Sequence, residues 1–285
     1  MGLAQRSLIL LNRLLGRKVD AGIYGDDYDR CAQTYDAAVT RRLLAAFTGD
    51  ILKELDVGAG MRCIDLGCGT GHATAILDGY VRPNGSVIGY DISGAMLALA
   101  GQRLGISSGT RFVHKDMLCA LQGHGDESID VIAACWSLEY GDPERILKEA
   151  QRVLARGGRI AVLVNTRGSL PELQRLVTRI LLRNPFSLRS FPPLLFPPGI
   201  DAFRRMVGRA GLSVRTLSEK TCVHHFETGE SLVEWMKTAG PCAGFRGALR
   251  EERSEYIYDK IREAVDRMNG VRLTFRFIYF IGIKP

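Results

Sequence analysis

The chain has 285 residues, enough for one large domain or for one domain with an inserted cap. Its apolar fraction of 46% is ordinary for a globular protein, and no apolar run is long enough to span a bilayer. Its seven cysteines are scattered without a C-x-x-C pair, which favours reduced thiols in the cytoplasm over a disulfide framework. The net charge of +7 is concentrated, because nine arginines and only two acids lie between residues 167 and 215.

The first predicted element is an amphipathic helix over residues 3–18, with leucines on one side and arginines elsewhere. Asn12 and Arg13 interrupt its apolar stretch, so it does not fit a signal peptide. Two roles stay open for this helix. It packs over the domain or the cofactor cleft, or it attaches the protein to an anionic membrane surface or a partner.

The most informative motif is a short apolar strand that breaks into a glycine turn, CIDLGCGTGH at residues 63–72. A turn of this kind at the start of a helix presents backbone N–H groups to a nucleotide-like ligand. Its spacing is G-x-G-x-G, whereas a dinucleotide fingerprint has G-x-G-x-x-G. The early third glycine suits a ligand with a ribose and an amino-acid tail, which means S-adenosylmethionine (SAM).

The next two apolar runs each end in an acid. Asp91 ends the second predicted strand, where a carboxylate can accept hydrogen bonds from both ribose hydroxyls. Asp116 ends the third, where it could accept from the adenine amino group while Met117 packs on the ring. The fourth and fifth strands are predicted at 128–136 and 158–164, with a helix between them that begins after a capping aspartate and ends at a pair of glycines.

Together these motifs resemble the class I SAM-dependent methyltransferases of the small-molecule type. The resemblance rests on DLGCGTG at 65–71, on Asp91, on Asp116 with Met117, and on RVLARGG at 152–158. It covers residues 20–220 and implies SAM as cofactor, with no metal. The cofactor-binding residues that it implies are Asp65, Gly67, Cys68, Gly69, Gly71, Asp91, Ile92, Met96, Asp116, Met117, Cys135 and Tyr35.

Alternating strands and helices predict an α/β fold, and the resemblance implies a doubly wound, seven-stranded Rossmann-like sheet whose last strand is antiparallel. Later elements are predicted as helices at 170–182 and 200–210, strand six at 212–217 and the last strand at 273–282. We expect four segments: a helical lead-in or lid at 1–56, the SAM-binding core at 57–220 with a substrate-side insertion at 165–200, a helical cap at 221–270, and the final strand at 271–285.

Four residues are candidates for catalysis. His224 and His225 are predicted to follow strand six and to face the cap, where a histidine could remove a proton from a hydroxyl. Glu139 and Tyr140 follow strand four, close to the expected place of the methyl acceptor. Each of the four also has a purely structural interpretation as a wall or surface residue. Trp136 is expected to cover the adenine or to line the pocket.

The expected reaction is methyl transfer to a small or lipophilic organic acceptor at oxygen, carbon or nitrogen. A carrier-protein-bound acyl carboxylate is an alternative acceptor that would explain the arginines, although residues 167–215 could also meet a lipid surface. Nucleic-acid methylation is disfavoured, because the segment after strand four lacks an Asn/Asp-Pro-Pro-aromatic motif. A non-catalytic partner subunit stays open, as does the oligomeric state. The expected location is the cytoplasm, with or without peripheral membrane attachment.

Overall fold

A computed structural model describes residues 23–36, 39–105, 109–189, 196–238, 242 and 244–285. The chain forms two compact units. The helical unit takes its described residues from 1–41, 168–194 and 221–276, and the sheet unit takes its residues from 42–167, 195–220 and 277–285. The predicted helix at 3–18 lies outside the described residues.

Seven strands form one sheet in the order β3-β2-β1-β4-β5-β7-β6. The strands are β1 Arg62–Leu66, β2 Ser86–Asp91, β3 Thr110–His114, β4 Ile129–Cys135, β5 Leu154–Asn165, β6 Ser213–Phe226 and β7 Val271–Ile283. Strands β1 to β5 pair in parallel, whereas β7 pairs antiparallel to β5. The predicted α/β sheet with an antiparallel last strand is therefore confirmed.

Helices connect the strands and fill the insertion before β7. They are α1 Ile23–Tyr35, α2 Val39–Lys53, α3 His72–Val81, α4 Gly94–Leu104, α5 Met117–Gln122, α6 Pro143–Val153, α7 Pro171–Arg183, α8 Ile200–Ala210, α9 Gly229–Thr238, α10 Phe245–Ala248 and α11 Glu251–Asp266. Among the residues that the structure describes, every helix is too short or too polar to pass through a bilayer.

Side-chain caps fix where several helices begin. The hydroxyl of Ser93 accepts from the backbone N–H of Met96 at 3.1 Å and starts α4. Asp142 accepts from the two backbone N–H groups that follow Pro143 and starts α6. Since a helix leaves its first N–H groups unpaired, such a cap is worth about 1 kcal/mol.

The core of the sheet unit lies between the central strands and the helices that cross over them. The strands β1, β4 and β5 supply Ile64, Ile132 and Val162, all fully buried. Helix α8 adds Phe203, whose ring lies 5.3 Å from that of Phe280 on β7. Central parallel strands are covered on both faces, which explains why their sequences are continuously apolar.

The helical unit has a separate aromatic core. The ring of Trp235 on α9 lies 5.2 Å from Phe226 and 6.0 Å from Phe275. On α1 the buried carboxylate of Asp27 accepts from the backbone N–H groups of Gly244 and Gly247, at 2.8 and 3.2 Å. This carboxylate joins α1 to the start of α10 within the unit.

Two predicted boundaries were wrong. The helix before β5 ends at Val153 and not at the glycine pair, because the backbone becomes extended at Leu154. By Gly157 the chain is already paired with another segment, since the N–H of Gly157 donates to the carbonyl of Lys284 at 2.9 Å. Strand β6 continues to Phe226, nine residues beyond its predicted end. No glycine or proline interrupts residues 213–226, so nothing in that run stops an extended strand.

Candidate functional site

The turn after β1 is held open by three glycines in the left-handed region. Gly67, Gly69 and Gly71 have φ values of 70°, 52° and 80°. The backbone N–H groups of Gly67 and Cys68 both donate to the carbonyl of Tyr90, at 2.8 and 2.9 Å. Residues with a Cβ rarely adopt these angles, so the motif needs glycine at all three positions.

The surroundings of the three glycines differ. A Cβ at Gly67 would lie 2.3 Å from the Cβ of Ser137, and one at Gly71 would lie 3.0 Å from the Cβ of Ala100. A Cβ at Gly69 would meet nothing within 4 Å. The turn is therefore packed against protein at both ends and open in the middle, where its backbone can meet a ligand.

Asp91, at the end of β2, supports this turn. Its Oδ2 accepts from the backbone N–H of Gly69 at 2.8 Å, and its Oδ1 accepts from that of Ser93 at 2.9 Å. Burial raises the pKa of Asp91, while these N–H donors act against the rise. A carboxylate oxygen has room for two donors, so each oxygen can accept one further hydrogen bond from a ligand hydroxyl.

Asp65 lies inside the sheet unit. It is fully buried on β1 and accepts from the hydroxyl of Thr74 at 2.6 Å. Burial raises its pKa to about 6, against the effect of the hydrogen bond from Thr74. This carboxylate ties β1 to the start of α3 and so fixes the helix that follows the turn.

Other predicted cofactor residues follow β2 and β3. The carboxylate of Asp116 caps α5 through Oδ1, which accepts from the backbone N–H groups of Leu118 and Cys119. Met117 and Met96 are buried, and the carbonyl of Ile92 contacts Nε2 of His114 at 2.7 Å. The capping role leaves Oδ2 of Asp116 available for a ligand.

The predicted cysteines flank the same edge of the sheet. Cys68 is buried within the turn and Cys135 ends β4. Burial raises the pKa of both thiols, so both stay protonated and unreactive at neutral pH.

Trp136 follows β4 in a strained conformation. Its φ of 65° is uncommon for a bulky residue. The indole N–H donates to the hydroxyl of Thr48 at 3.0 Å, and the ring lies 4.8 Å from that of Phe277. The next residue, Ser137, donates its hydroxyl to the carbonyl of Leu66 at 2.6 Å. The chain after β4 is thereby fixed directly against the glycine turn.

Glu139 lies two residues further on and is 1% exposed. Its Oε1 accepts from the side-chain amide of Asn165, at the end of β5, at 2.7 Å. Its Oε2 has no hydrogen-bond partner among the described residues. Burial raises the pKa of Glu139 to about 7, against the lowering effect of the Asn165 amide. A buried polar atom without a partner costs about 1–3 kcal/mol.

Sequence reasoning missed Asn165. The available signal was a polar residue directly after the buried run of β5, at the edge where parallel strands present ligand-binding groups. Its pairing with Glu139, 26 residues away in the chain, could not be read from spacing.

The predicted position of His224 and His225 was wrong. Both lie within strand β6 rather than after it, because the strand continues to Phe226. His225 is exposed, and the half-buried ring of His224 lies 4.7 Å from that of Phe226. Partial burial and the neighbouring His225 lower the pKa of His224. Both histidines are therefore ordinary strand residues of the helical unit.

Two predicted tyrosines complete the set. Tyr140 ends the short 3₁₀ turn that contains Glu139 and is half-buried. Tyr35 ends α1 in the helical unit, with its ring 6.2 Å from that of Tyr28. The roles assigned to these tyrosines stay predictions.

The arginine-rich stretch is partly neutralised. Arg209 pairs with Glu144 at 2.7 Å, and Arg215 pairs with Asp56 at 2.6 Å. On α7, Arg175, Arg179 and Arg183 are exposed at successive turns of the helix and form no ion pair within the described ranges. On α8, Arg204 and Arg205 are also exposed and form no ion pair within those ranges, so the unpaired positive charge of this stretch lies on α7 and α8.

Comparison with known proteins identifies a domain that contains the glycine turn. A family model described as a methyltransferase domain matches residues 58–179, which run from before β1 to within α7. Residues 58–179 therefore form a methyltransferase domain, and the chain is a SAM-dependent methyltransferase.

Two curated relatives and one solved structure illustrate the similarity. The methyltransferase is 28% identical over 195 residues to a demethylmenaquinone methyltransferase of Shouchella clausii, covering 62% of this chain and 82% of the relative. It is 26% identical over 268 residues to a malonyl-[acyl-carrier protein] O-methyltransferase of Alcanivorax borkumensis, covering 92% and 86%. Geranyl diphosphate C-methyltransferase from Streptomyces coelicolor shares the fold, with a TM-score of 0.52 at 16% identity and coverage of 86% and 80%.

The residues at the turn fit SAM. The open middle of the turn at Gly69 leaves space where a side chain would otherwise stand, so backbone can approach a ligand. Each oxygen of Asp91 retains acceptor capacity for one further hydroxyl donor, and Oδ2 of Asp116 retains capacity for an amino donor. These properties are those that the cofactor's polar groups require.

Proposed function

We propose that this methyltransferase binds SAM along the turn at 67–71 and methylates a small, lipophilic organic acceptor beside the end of β4. The observation that carries the proposal is the pairing of Asp91 with the backbone N–H of Gly69, which fixes a carboxylate next to the open part of the turn. When bound, SAM supplies a methyl group activated by its sulfonium. The chain itself has to orient the acceptor and exclude water.

The remaining cofactor assignments extend this site along the sheet edge. Asp116 and Met117 would hold the adenine at the end of β3, and Ile92 and Met96 would pack beside the ribose. Asp65 on β1 and Cys135 on β4 would support the ends of their strands, and Cys68 would support the turn itself. Tyr35 is assigned to the methionine end of SAM by the resemblance alone.

A titration of SAM into the purified protein by isothermal calorimetry tests the cofactor site. We expect a micromolar Kd for the wild type and saturable binding of S-adenosylhomocysteine. Absence of binding for both compounds would refute the proposed function at its first step.

The lipophilic acceptor is supported by the paired aromatic rings of Trp136 and Phe277 beside the end of β4 and by the demethylmenaquinone methyltransferases among the relatives. Incubation with radiolabelled SAM and a panel of aromatic and isoprenoid acceptors tests this part. The expected result is methyl incorporation into an apolar acceptor that partitions into organic solvent.

A carrier-bound acyl carboxylate is the second candidate acceptor. It is favoured by the exposed arginines of α7 and by the malonyl-[acyl-carrier protein] O-methyltransferases, one of which matches 92% of this chain. A carrier protein with an acidic surface would meet Arg175, Arg179 and Arg183. Charge reversal at Arg204 and Arg205 of α8, or at Arg175 and Arg179 of α7, should then abolish capture of an acyl-carrier protein.

Attachment to an anionic lipid surface is the remaining partner hypothesis. The same arginines of α7 support it, together with Phe186, which is exposed directly after that helix. Sedimentation with phosphatidylglycerol vesicles tests it, and equal sedimentation with neutral vesicles would contradict an electrostatic attachment.

A further inference from the structure

Glu139 lies near the glycine turn, and SAM binding does not explain it. Its carboxyl group is fully buried, with Oε1 held by Asn165 at 2.7 Å and Oε2 without a partner among the described residues. A glutamine at this position would keep the shape and avoid burying an ionisable group. A buried carboxyl with one oxygen left open is therefore a candidate for proton chemistry.

The surrounding contacts fix where this oxygen lies in the fold. The hydroxyl of Ser137 donates a hydrogen bond to the carbonyl of Leu66, immediately before the turn. The Cβ of Ser137 fills the space beside Gly67. Glu139 follows in the same 3₁₀ turn, while Asn165 comes from the neighbouring strand β5. The carboxyl ends of β4 and β5 thus bring Glu139 to the edge of the sheet that carries the glycine turn.

We propose that Glu139 is the proton acceptor of the reaction, that Asn165 positions it, and that the methyl acceptor belongs to the phenols or enols. This inference rests on the proposed function, since it concerns the acceptor side of the same site. It favours a proton-bearing acceptor over the carboxylate alternative. A carboxylate is already an anion at neutral pH, has no proton to give, and would be repelled by ionised Glu139.

The proposed step balances as follows. The acceptor's O–H proton moves to Oε2 of Glu139, and the electron pair left behind forms the bond to the methyl carbon. The bond between that carbon and the sulfonium sulfur breaks, and its electron pair stays on sulfur. Where a conjugated carbon takes the methyl group, the oxygen becomes a carbonyl. That carbon then loses its own proton to water, and the oxygen regains a proton from Glu139. Where the oxygen itself takes the methyl group, Glu139 releases its proton to solvent.

The protonation state of Glu139 matches this role. Because burial raises its pKa to about 7, roughly half of the molecules carry the ionised form at neutral pH. A base whose pKa lies near the working pH transfers protons efficiently. The Asn165 amide donates to the carboxylate and stabilises its ionised form, so removal of the amide should raise the pKa further.

The test measures methyl transfer from radiolabelled SAM to three probes: an aromatic diol kept reduced, a simple enol, and a malonyl thioester. We expect turnover of the diol or the enol, with kcat rising with pH through a midpoint near 7. E139Q should lower kcat by about 100-fold or more with unchanged Kd for SAM. N165L should keep partial activity with its midpoint at higher pH, a change that a merely structural role for Asn165 would not produce.

E172Q is the matched control, because Glu172 is also a hydrogen-bonded glutamate but has both oxygens occupied, by the backbone N–H and the hydroxyl of Thr274. Its kcat should stay within threefold of wild type. Turnover by E139Q within threefold of wild type, an unshifted midpoint in N165L, or turnover of the malonyl thioester alone or of no probe would each overturn the inference. SAM binding by the wild type distinguishes failure of this inference from failure of the proposed function. A wild-type protein that binds no SAM would refute the proposed function itself.

Discussion

The carboxylates at the ends of β2 and β4 are held in contrasting ways. Each oxygen of Asp91 accepts from one backbone N–H group, that of Gly69 in the turn after β1 or that of Ser93 in the turn after β2. Glu139 has one oxygen occupied by a side-chain amide from another strand and the other without a partner in the described part of the chain. The proposed cofactor side is therefore held mainly through backbone N–H groups of the glycine turn, and the proposed acceptor side through contacts between side chains.

This difference has a functional meaning. Backbone donors are rigid and independent of residue type, which suits a cofactor that is the same in every turnover. Side chains can be exchanged singly, which suits a site that distinguishes among acceptors. The predictions below test this division, beginning with the largest expected effect.

Replacement of Asp91 by alanine should weaken SAM binding at least 100-fold. Two charge-assisted hydrogen bonds to the ribose would be lost, each worth about 1.5–3 kcal/mol. Isothermal calorimetry measures the change. D130A is the control, since Asp130 pairs with Arg62 at the opposite end of the strands. A Kd for D91A within threefold of wild type would remove Asp91 from the site.

Substitution of Gly67 and Gly69 by alanine should separate stability from binding. G67A places a Cβ 2.3 Å from that of Ser137 at a φ of 70°, so we expect a loss of about 3 kcal/mol in unfolding free energy. G69A meets open space and should lose only about 1–2 kcal/mol from its left-handed φ, while its SAM affinity falls. Urea unfolding and calorimetry measure the pair. Equal losses of unfolding free energy in G67A and G69A would contradict the finding that the turn is packed at Gly67 and open at Gly69.

Ionisation of Glu139 should make the protein less stable as pH rises. Its folded pKa of about 7 lies above the unfolded value near 4.5, so the folded state binds the proton more tightly and stability falls between pH 4.5 and pH 7. E139Q should remove roughly 2–3 kcal/mol of this loss, seen as a higher unfolding free energy than wild type at pH 8. A smaller slope between pH 3.8 and pH 6 should remain from Asp65, whose pKa is also raised. If E139Q and wild type show the same pH dependence, Glu139 is not buried as an ionisable group.

The smallest effect concerns Ser93, which caps α4 beside Asp91. S93A should cost about 1 kcal/mol of unfolding free energy, as is usual for a lost helix cap. Its backbone N–H still donates to Asp91, so the Kd for SAM should change less than threefold. A larger loss of affinity would show that the proposed cofactor side depends on side chains more than the contrast between Asp91 and Glu139 implies.

Much of the cofactor side could be predicted because its signals are local. Gly67, Gly69 and Gly71 were recognisable from spacing, and each adopts the left-handed conformation that only glycine takes easily. Helix α8 was predicted with the bounds that it has, since a glycine follows its apolar periodicity and ends it.

The acceptor side could not be predicted to the same depth. The contact between Glu139 and Asn165 depends on the pairing of β4 with β5, which no short window contains. His224 and His225 were misplaced because β6 is exposed along most of its length, so the usual alternation of apolar and polar residues does not mark its end. Long-range pairing and weak periodicity are the physical reasons for both gaps.

The left-handed backbone at Trp136 links the acceptor side to residues that no substrate need touch. Its conformation is held by the hydroxyl of Thr48 on α2 and by the ring of Phe277 on β7. A change at either position would let Trp136 relax and carry Ser137 and Glu139 with it. If Glu139 acts on the acceptor as proposed, substitutions in α2 or β7 would alter the reaction without touching the substrate.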